Sequence, residues 1–137
     1  MLKFKSKKKT HFPIVSILLW LLTLITIVLP SEYSEYINLN KLFAIIPAEL
    51  TANLKQSWWY LLRLISALFL HGDWKHWAGN MLLFLIIALP LERRIGGFWF
   101  LIIYIVSGFI GNMVSIYQLD QSVNYLLGAS GALSGLL

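Results

Sequence analysis

Residues 98–117, "FWFLIIYIVSGFIGNMVSIY", form an uninterrupted apolar stretch without a charged side chain. As an α-helix this stretch extends about 30 Å, which matches the hydrocarbon thickness of a bilayer. Ser107, Gly111 and Ser115 recur within it at four-residue spacing. Small residues on one face of a helix allow a second helix to approach closely in lipid. The stretch therefore predicts a membrane-spanning helix with another helix packed against its small face.

The composition supports a membrane setting for the whole chain. Of its 137 residues 58% are hydrophobic and only 12% are charged, whereas soluble domains carry about 25% charged residues. The net charge of +5 does not indicate a nucleic-acid partner, because five lysines fall within residues 3–9, directly before an apolar run. Such a basic segment is typical of a cytoplasmic flank next to lipid headgroups. We therefore predict a bilayer, and no nucleic acid, as its surroundings.

Three further segments complete the predicted membrane domain. Residues 14–29, "IVSILLWLLTLITIVL", predict a first span; a signal peptide is the alternative, but no A-x-A-like cleavage site follows. Residues 74–91 predict a second span, and a fourth begins within 128–137. Residues 31–70 mix charges with large aromatic side chains, which predicts an interfacial loop with short helices along the membrane surface.

The basic residues predict the orientation of the chain. The tail formed by residues 1–12 and the pair Arg93 and Arg94 are separated by two predicted spans, so both lie on one side. The positive-inside rule assigns that side to the cytoplasm. Residues 92–94, "ERR", are interpreted as a water-facing turn. We expect an integral protein of a bacterial inner (plasma) membrane with a cytoplasmic N-terminus.

Two polar residues of the second span share one helical face. His76 and Asn80 are four residues apart and lie near the predicted outer end of the span. Polar side chains at membrane depth are costly and usually face the interior of a bundle, where they have a role. The spacing leaves two interpretations open: a functional site, or side chains that only hydrogen-bond neighbouring helices.

The last ten residues, "GASGALSGLL" (128–137), place Ser130 at the start of a predicted helix. Backbone N–H groups at a helix start can stabilise an oxyanion, so Ser130 could act as a nucleophile in acyl transfer. Gly128 and Gly131 lack a Cβ atom and let another backbone approach. The alternative is an N-cap serine in a glycine-rich turn.

Metal and cofactor chemistry find little support in the sequence. The chain has no cysteine, and His11, His71 and His76 are spread over two regions without an HExxH pattern. We predict no metal site and no cofactor.

Taken together, these segments resemble the rhomboid intramembrane serine proteases. "FLHGDWKHWAGNMLLF" (69–84) resembles the histidine-rich second transmembrane helix of that family, and "GASGALSGLL" its GxSG motif at the start of helix four. "LRLISALFLH" (62–71) is similar to the segment that closes the family's first loop, and "LERRIGG" (91–97) to the turn after helix two. The resemblance implies an all-α polytopic helical bundle in which residues 13–137 are a partial rhomboid-like domain of about three and a half transmembrane helices.

The resemblance also implies roles for individual residues. Ser130 corresponds to the nucleophile, and His76, Asn80 and the backbone N–H of Ser130 correspond to the oxyanion hole. The family's other motif and structural positions are matched in this sequence by His71, Arg63, Glu92, Gly128 and Gly131. His71 would be structural, Arg63 would hold the first loop, and Glu92 would anchor the turn between helices two and three.

One departure limits the activity that the resemblance implies. Rhomboids use a serine–histidine dyad whose base lies on helix six, whereas this sequence ends within helix four. We expect an enzyme that hydrolyses peptide bonds in or near transmembrane segments of membrane-protein substrates, with these 137 residues inactive by themselves. Two alternatives are a non-catalytic membrane binding protein of the same fold and a small transporter or channel component with His76 and Asn80 along a polar path.

Overall fold

The structure is a computed structural model that describes residues 10–32, 38–49, 59–119 and 124–137. The lysines of residues 3–9 and parts of the predicted interfacial loop lie outside the described residues. The helices are α1 (Ile14–Glu32), α2 (Leu39–Phe43), α3 (Trp59–Ser66), a 3₁₀ turn (Ala67–Phe69), α4 (Trp74–Ile95), α5 (Gly97–Gln118) and α6 (Ser130–Leu136). The described segments contain no strand, and the predicted all-α bundle is confirmed.

A common apolar core joins α1, α4, α5 and α6. Its centre is a cluster of aromatic rings in which Phe84 of α4 packs edge-on against Phe100 and Tyr104 of α5, with ring centres 6.2 and 5.9 Å apart. Leu19 of α1 and Leu133 of α6 close the cluster from the other helices. The short α6 is thus held in place by packing against several other helices, because a helix of this length has little stability of its own.

Helices α5 and α6 pack through small residues. A Cβ atom added to Gly111 would lie 2.9 Å from the Cα atom of Gly131, and a Cβ on Gly135 would collide with Ser107. Because these positions lack bulk, the two backbones are nearly in contact. The small face predicted from the sequence of α5 is therefore confirmed.

Hydropathy differs among the long helices. Among the described helices, α5 alone is long and apolar enough to cross a membrane by itself, with a mean hydropathy of 1.9. The apolar part of α1, Ile14–Leu29, is shorter. Helix α4 is as long as α5 but carries Lys75 and His76 in its first turn and arginines in its last.

The end of α4 differs from the sequence-based expectation. Residues 92–94 are the last turn of a helix that continues to Ile95, not a water-facing turn, and Glu92 is only 1% exposed. Its carboxylate accepts hydrogen bonds from the backbone N–H groups of Val15 and Ser16, at 2.9 and 2.6 Å, and from the Ser16 hydroxyl at 2.6 Å. The first N–H groups of a helix have no partner within it, and Glu92 supplies one for α1.

The chain segment before α1 lies beside the connection between α4 and α5. The backbone N–H of His11 donates to the carbonyl of Arg93 at 3.0 Å. A Cβ atom on Gly96, whose φ is +83°, would lie 3.5 Å from the His11 ring. The start of the described chain and the arginine pair therefore occupy the same end of the bundle, as the sequence predicted.

We expect Glu92→Gln to lower the free energy of unfolding by roughly 2–3 kcal/mol, because it removes the charge from three hydrogen bonds, two of them buried. The control is Glu49→Gln, which removes a half-exposed carboxylate from its 3.4 Å ion pair with Arg63. That change should cost less than about 1 kcal/mol. Equilibrium unfolding in mixed micelles measures both, and equal losses would contradict the role given to Glu92.

Candidate functional site

The first turn of α4 orients His76 and Asn80. Asp73 is the N-cap residue of this helix, and its carboxylate accepts a hydrogen bond from the His76 backbone N–H at 2.9 Å. That hydrogen bond holds the pKa of the Asp73 carboxyl below its usual range. Because the cap fixes where the helix begins, it also fixes the face on which His76 and, one turn later, Asn80 lie.

Gly128 brings the loop before α6 into contact with this face. Its φ is +119°, and a Cβ atom there would lie 2.8 Å from Cε1 of His76 and 3.5 Å from Nδ2 of Asn80. The Gly128 N–H donates to the carbonyl of Ala67 at 2.9 Å. Both the backbone angle and the lack of space require glycine at this position. The loop is therefore held against His76 and Asn80 two residues before Ser130.

Ser130 is the first residue of α6, and its side chain is exposed. The N-cap position belongs to Ala129, and no side chain makes a capping hydrogen bond there. The interpretation of Ser130 as an N-cap serine is therefore wrong, because the helix begins at Ser130 itself, one residue earlier than that role requires. Within the described residues, the Ser130 hydroxyl makes no hydrogen bond to another group.

A cavity of about 330 Å³ lies beside Ser130. Residues of α5, of the loop before α6 and of α6 itself line it, among them Gly111, Ser115, Leu126 and Ser134. Several of these are small or hydroxyl-bearing, so the cavity has polar as well as apolar walls. Its volume lies at the lower end of the range of about 300–1,000 Å³ that is typical of ligand pockets.

His71 packs behind His76. The two rings meet edge to face with their centres 5.2 Å apart, and His71 is 4% exposed. Burial, and next the neighbouring His76, lower the pKa of His71 to about 4, so its ring is neutral at pH 7. Within the described residues its ring nitrogens and the Nδ2 atom of Asn80 have no hydrogen-bond partner.

Arg63 connects the short helices of the loop region. Its guanidinium contacts the Glu49 carboxylate and the Lys41 carbonyl, each at 3.4 Å, and stacks 4.8 Å from the centre of the Tyr60 ring. Nearby, Ile45 exchanges backbone hydrogen bonds of 3.1 and 2.8 Å with Leu126. This pairing ties the loop region to the segment that leads into Ser130.

The structure separates some residues that the sequence grouped as functional. His71, His76, Asn80 and Gly128 lie together at the start of α4, Ser130 follows Gly128 by two residues, and Gly131 lies between α5 and α6. Glu92 lies at the opposite end of α4, and His11 lies there as well. The described segments hold no cluster of three or more metal-ligating side chains.

Sequence reasoning missed Asn112, a buried residue of α5. Its Nδ2 atom donates to the carbonyl of Leu64 at 2.7 Å and so fastens α3 to α5. A lone amide inside an otherwise apolar span is a signal that could have found it, because such groups seldom face lipid.

Comparison with known proteins identifies the class of this chain. The sequence model of the family described as "Rhomboid domain" matches residues 56–137. More than half of the chain is matched, so the chain belongs to the rhomboid family. The family is membrane-integral.

Individual relatives agree with this assignment. RHOMBOID-like protein 5 of Arabidopsis thaliana is 40% identical over 75 residues, which are 55% of this chain and 24% of the relative. Putative rhomboid protease YdcA of Bacillus subtilis (strain 168) is 39% identical over 80 residues, or 58% and 38% of the two chains. Rhomboid-like protease 3 of Toxoplasma gondii is 35% identical over 77 residues, or 56% and 28%.

The chain spans well under half of the length of each of these relatives. No solved structure matches it.

We expect Gly128→Ala to lower the free energy of unfolding by roughly 1–3 kcal/mol, because the new Cβ atom meets the His76 ring at an unfavourable φ. The control is Gly79→Ala in α4, where a Cβ atom would have no neighbour within 4 Å. That change should leave stability unchanged or raise it by up to about 1 kcal/mol. Unfolding in mixed micelles measures both, and a neutral Gly128→Ala would refute the packing described for this loop.

Proposed function

We propose that this chain carries the nucleophile and oxyanion-hole part of a rhomboid-type intramembrane serine protease. The observation that carries the proposal is the contact of Gly128 with His76 and Asn80, two residues before the exposed Ser130 that begins α6. Membership of the rhomboid family and similarity to relatives named as proteases support the same activity.

The chemistry follows from the groups around Ser130. Its Oγ atom attacks a peptide carbonyl carbon, a C–O bond forms, and the carbonyl oxygen becomes an oxyanion. The backbone N–H of Ser130, the His76 ring and the Asn80 amide are the donors for that oxygen. The Nδ2 atom of Asn80 is buried and has no hydrogen-bond partner within the described residues. It is therefore available to donate a hydrogen bond to the oxyanion in the transition state. Collapse of the intermediate breaks the C–N bond as the proton taken from Ser130 passes to the leaving amine, and water then hydrolyses the acyl-enzyme.

The proton of the Ser130 hydroxyl needs a base, and the histidines of this chain are poorly suited to that role. His11 lies at the opposite end of α4, and His71 is buried behind His76. His76 faces Gly128 in the position proposed for the oxyanion hole. We therefore propose that the general base belongs to a segment outside these 137 residues, and that the residues described here do not cleave protein without it.

The substrates proposed for this site are membrane proteins whose transmembrane segments can be unwound beside Ser130. The cavity between α5 and the loop before α6 would receive a side chain next to the cleaved bond. A glycine-rich wall is useful there because an extended substrate backbone can approach it closely.

A chimera tests the proposed activity. The chain is continued after Leu137 with the segment that follows the matched region in the B. subtilis relative, and cleavage of a model transmembrane substrate is followed in proteoliposomes. We expect turnover that falls by more than about 10³-fold in Ser130→Ala. Ser107→Ala also removes a hydroxyl, but one that faces α6 and bonds the Ile103 carbonyl; it should change turnover less than about threefold.

Three results would contradict the proposal. Turnover by the 137 residues alone, dependent on Ser130, would assign the base to His71 or His76. Turnover by the chimera that survives Ser130→Ala would remove Ser130 from the reaction. A folded chimera that captures the substrate without cleaving it would favour the non-catalytic binding protein.

We also propose that the end of the bundle that carries Arg93 and Arg94 faces the cytoplasm, because of the positive-inside rule. The chain lacks cysteine, so Thr10→Cys and Tyr125→Cys each introduce a unique thiol at an exposed position. In sealed right-side-out vesicles, an impermeant maleimide should label Cys at position 125 at once and Cys at position 10 only after permeabilisation. The reverse pattern would overturn this orientation.

A further inference from the structure

The end of the bundle opposite Ser130 carries a positive charge that the described residues do not neutralise. Arg93 and Arg94 are exposed in the last turn of α4, and neither guanidinium has an ion pair or a hydrogen bond within the described residues. The backbone contact between His11 and Arg93 brings the start of the described chain to the same place. Five further lysines precede His11 in the sequence.

The nearby acid does not cancel this charge. Glu92 is the only acidic residue within segments 10–16 and 91–99. Its two oxygens are buried against Val15 and Ser16, where they accept the hydrogen bonds that begin α1. The carboxylate therefore faces inward while the two guanidinium groups next to it in sequence stay exposed.

Exposed aromatic rings accompany the arginines. Phe12, Phe98 and Trp99 are 72%, 71% and 60% exposed, and the last two pack edge to face with ring centres 5.4 Å apart. Gly96 and Gly97 form the turn that keeps the first residues of α5 next to the last turn of α4. Aromatic rings next to exposed arginines are typical of the boundary between lipid headgroups and acyl chains.

We propose that Arg93 and Arg94, with Phe12, Phe98 and Trp99 beside them, form a binding site for the phosphodiester headgroup of an anionic phospholipid. Arginine donates two parallel hydrogen bonds to phosphate oxygens, and the negative surface of a leaflet attracts basic residues over several ångströms. The rings would lie among the first carbons of the acyl chains. Free phosphate would use the arginines but not the rings, so the aromatic part of the patch favours a lipid.

The site has a structural consequence for the fold. The arginines follow Glu92 directly in α4, and His11 leads directly into α1. A lipid bound there would contact both the end of α4 and the segment that leads into α1. Anionic lipid should therefore bind this end of the folded chain and stabilise the bundle by mass action.

Lipid binding to the purified chain tests the site. The chain in neutral micelles is titrated with dioleoyl phosphatidylglycerol or dioleoyl phosphatidylcholine, and retained lipid is counted by native mass spectrometry. We expect phosphatidylglycerol to bind at least about tenfold more tightly, and Arg93→Gln with Arg94→Gln to remove most of that preference. The matched control, Lys41→Gln with Lys75→Gln, removes the same charge from the other end of the bundle and should retain the preference.

Further measurements decide the remaining outcomes. In the wild-type chain, 0.5 M NaCl should weaken phosphatidylglycerol binding, whereas 20 mM inorganic phosphate in a buffer of matched ionic strength should not displace it. Wild-type binding that does not distinguish the two lipids, an equal loss in the lysine control, or displacement by inorganic phosphate would each overturn the proposal. Circular dichroism checks that the arginine variant folds; if it does not, the wild-type salt and phosphate results decide the question. Protease activity enters none of these readouts.

Discussion

The near contact between the backbones of α5 and α6 is the constraint on which the candidate site depends. Gly111 and Gly131 leave no room for a side chain between them, and Gly135 faces Ser107 in the same way. Helix α6 has only seven residues and little intrinsic stability, so its position comes from this contact and from the apolar core below it. A bulky residue at either glycine would push α6, and with it Ser130, away from α5.

The two ends of α4 serve different purposes. At its start, Asp73 caps the helix and orients His76 and Asn80 toward the loop that contains Gly128. At its end, Glu92 binds the first turn of α1 and leaves the arginines exposed. One helix thus joins the candidate site to the opposite end of the bundle. Because the charged residues of α4 lie in its first and last turns, its apolar middle packs without a buried charge.

The exposed hydroxyl of Ser130 distinguishes this site from an ordinary helix start. Serine usually serves a helix by capping it, and in that role its oxygen accepts a backbone N–H. Here Ala129 occupies the cap position, while Ser130 stands beside a cavity. Within the described segments the Ser130 hydroxyl makes no hydrogen bond, and the buried Asn80 amide nitrogen has no partner, so both are available for the proposed reaction. Nucleophilic attack also requires a base. His11 lies at the other end of α4, His71 is buried, and His76 packs against Gly128.

Much of the fold could be predicted from the sequence, because hydropathy and small-residue spacing are local properties of the chain. The apolar run at 98–117 became α5, and its spacing of Ser107 and Gly111 correctly predicted a close partner helix. The four-residue spacing of His76 and Asn80 placed both on one face, but it could not say what that face met. Only the tertiary structure showed that Gly128 packs against this face, because the loop before α6 is far from α4 in sequence. Tertiary structure also buried Glu92, which local sequence had assigned to water, because its partners lie more than seventy residues earlier, at the start of α1. The cap role offered to Ser130 failed for a similar reason: the packing of α6 against α5, not residue preference, set where that helix begins.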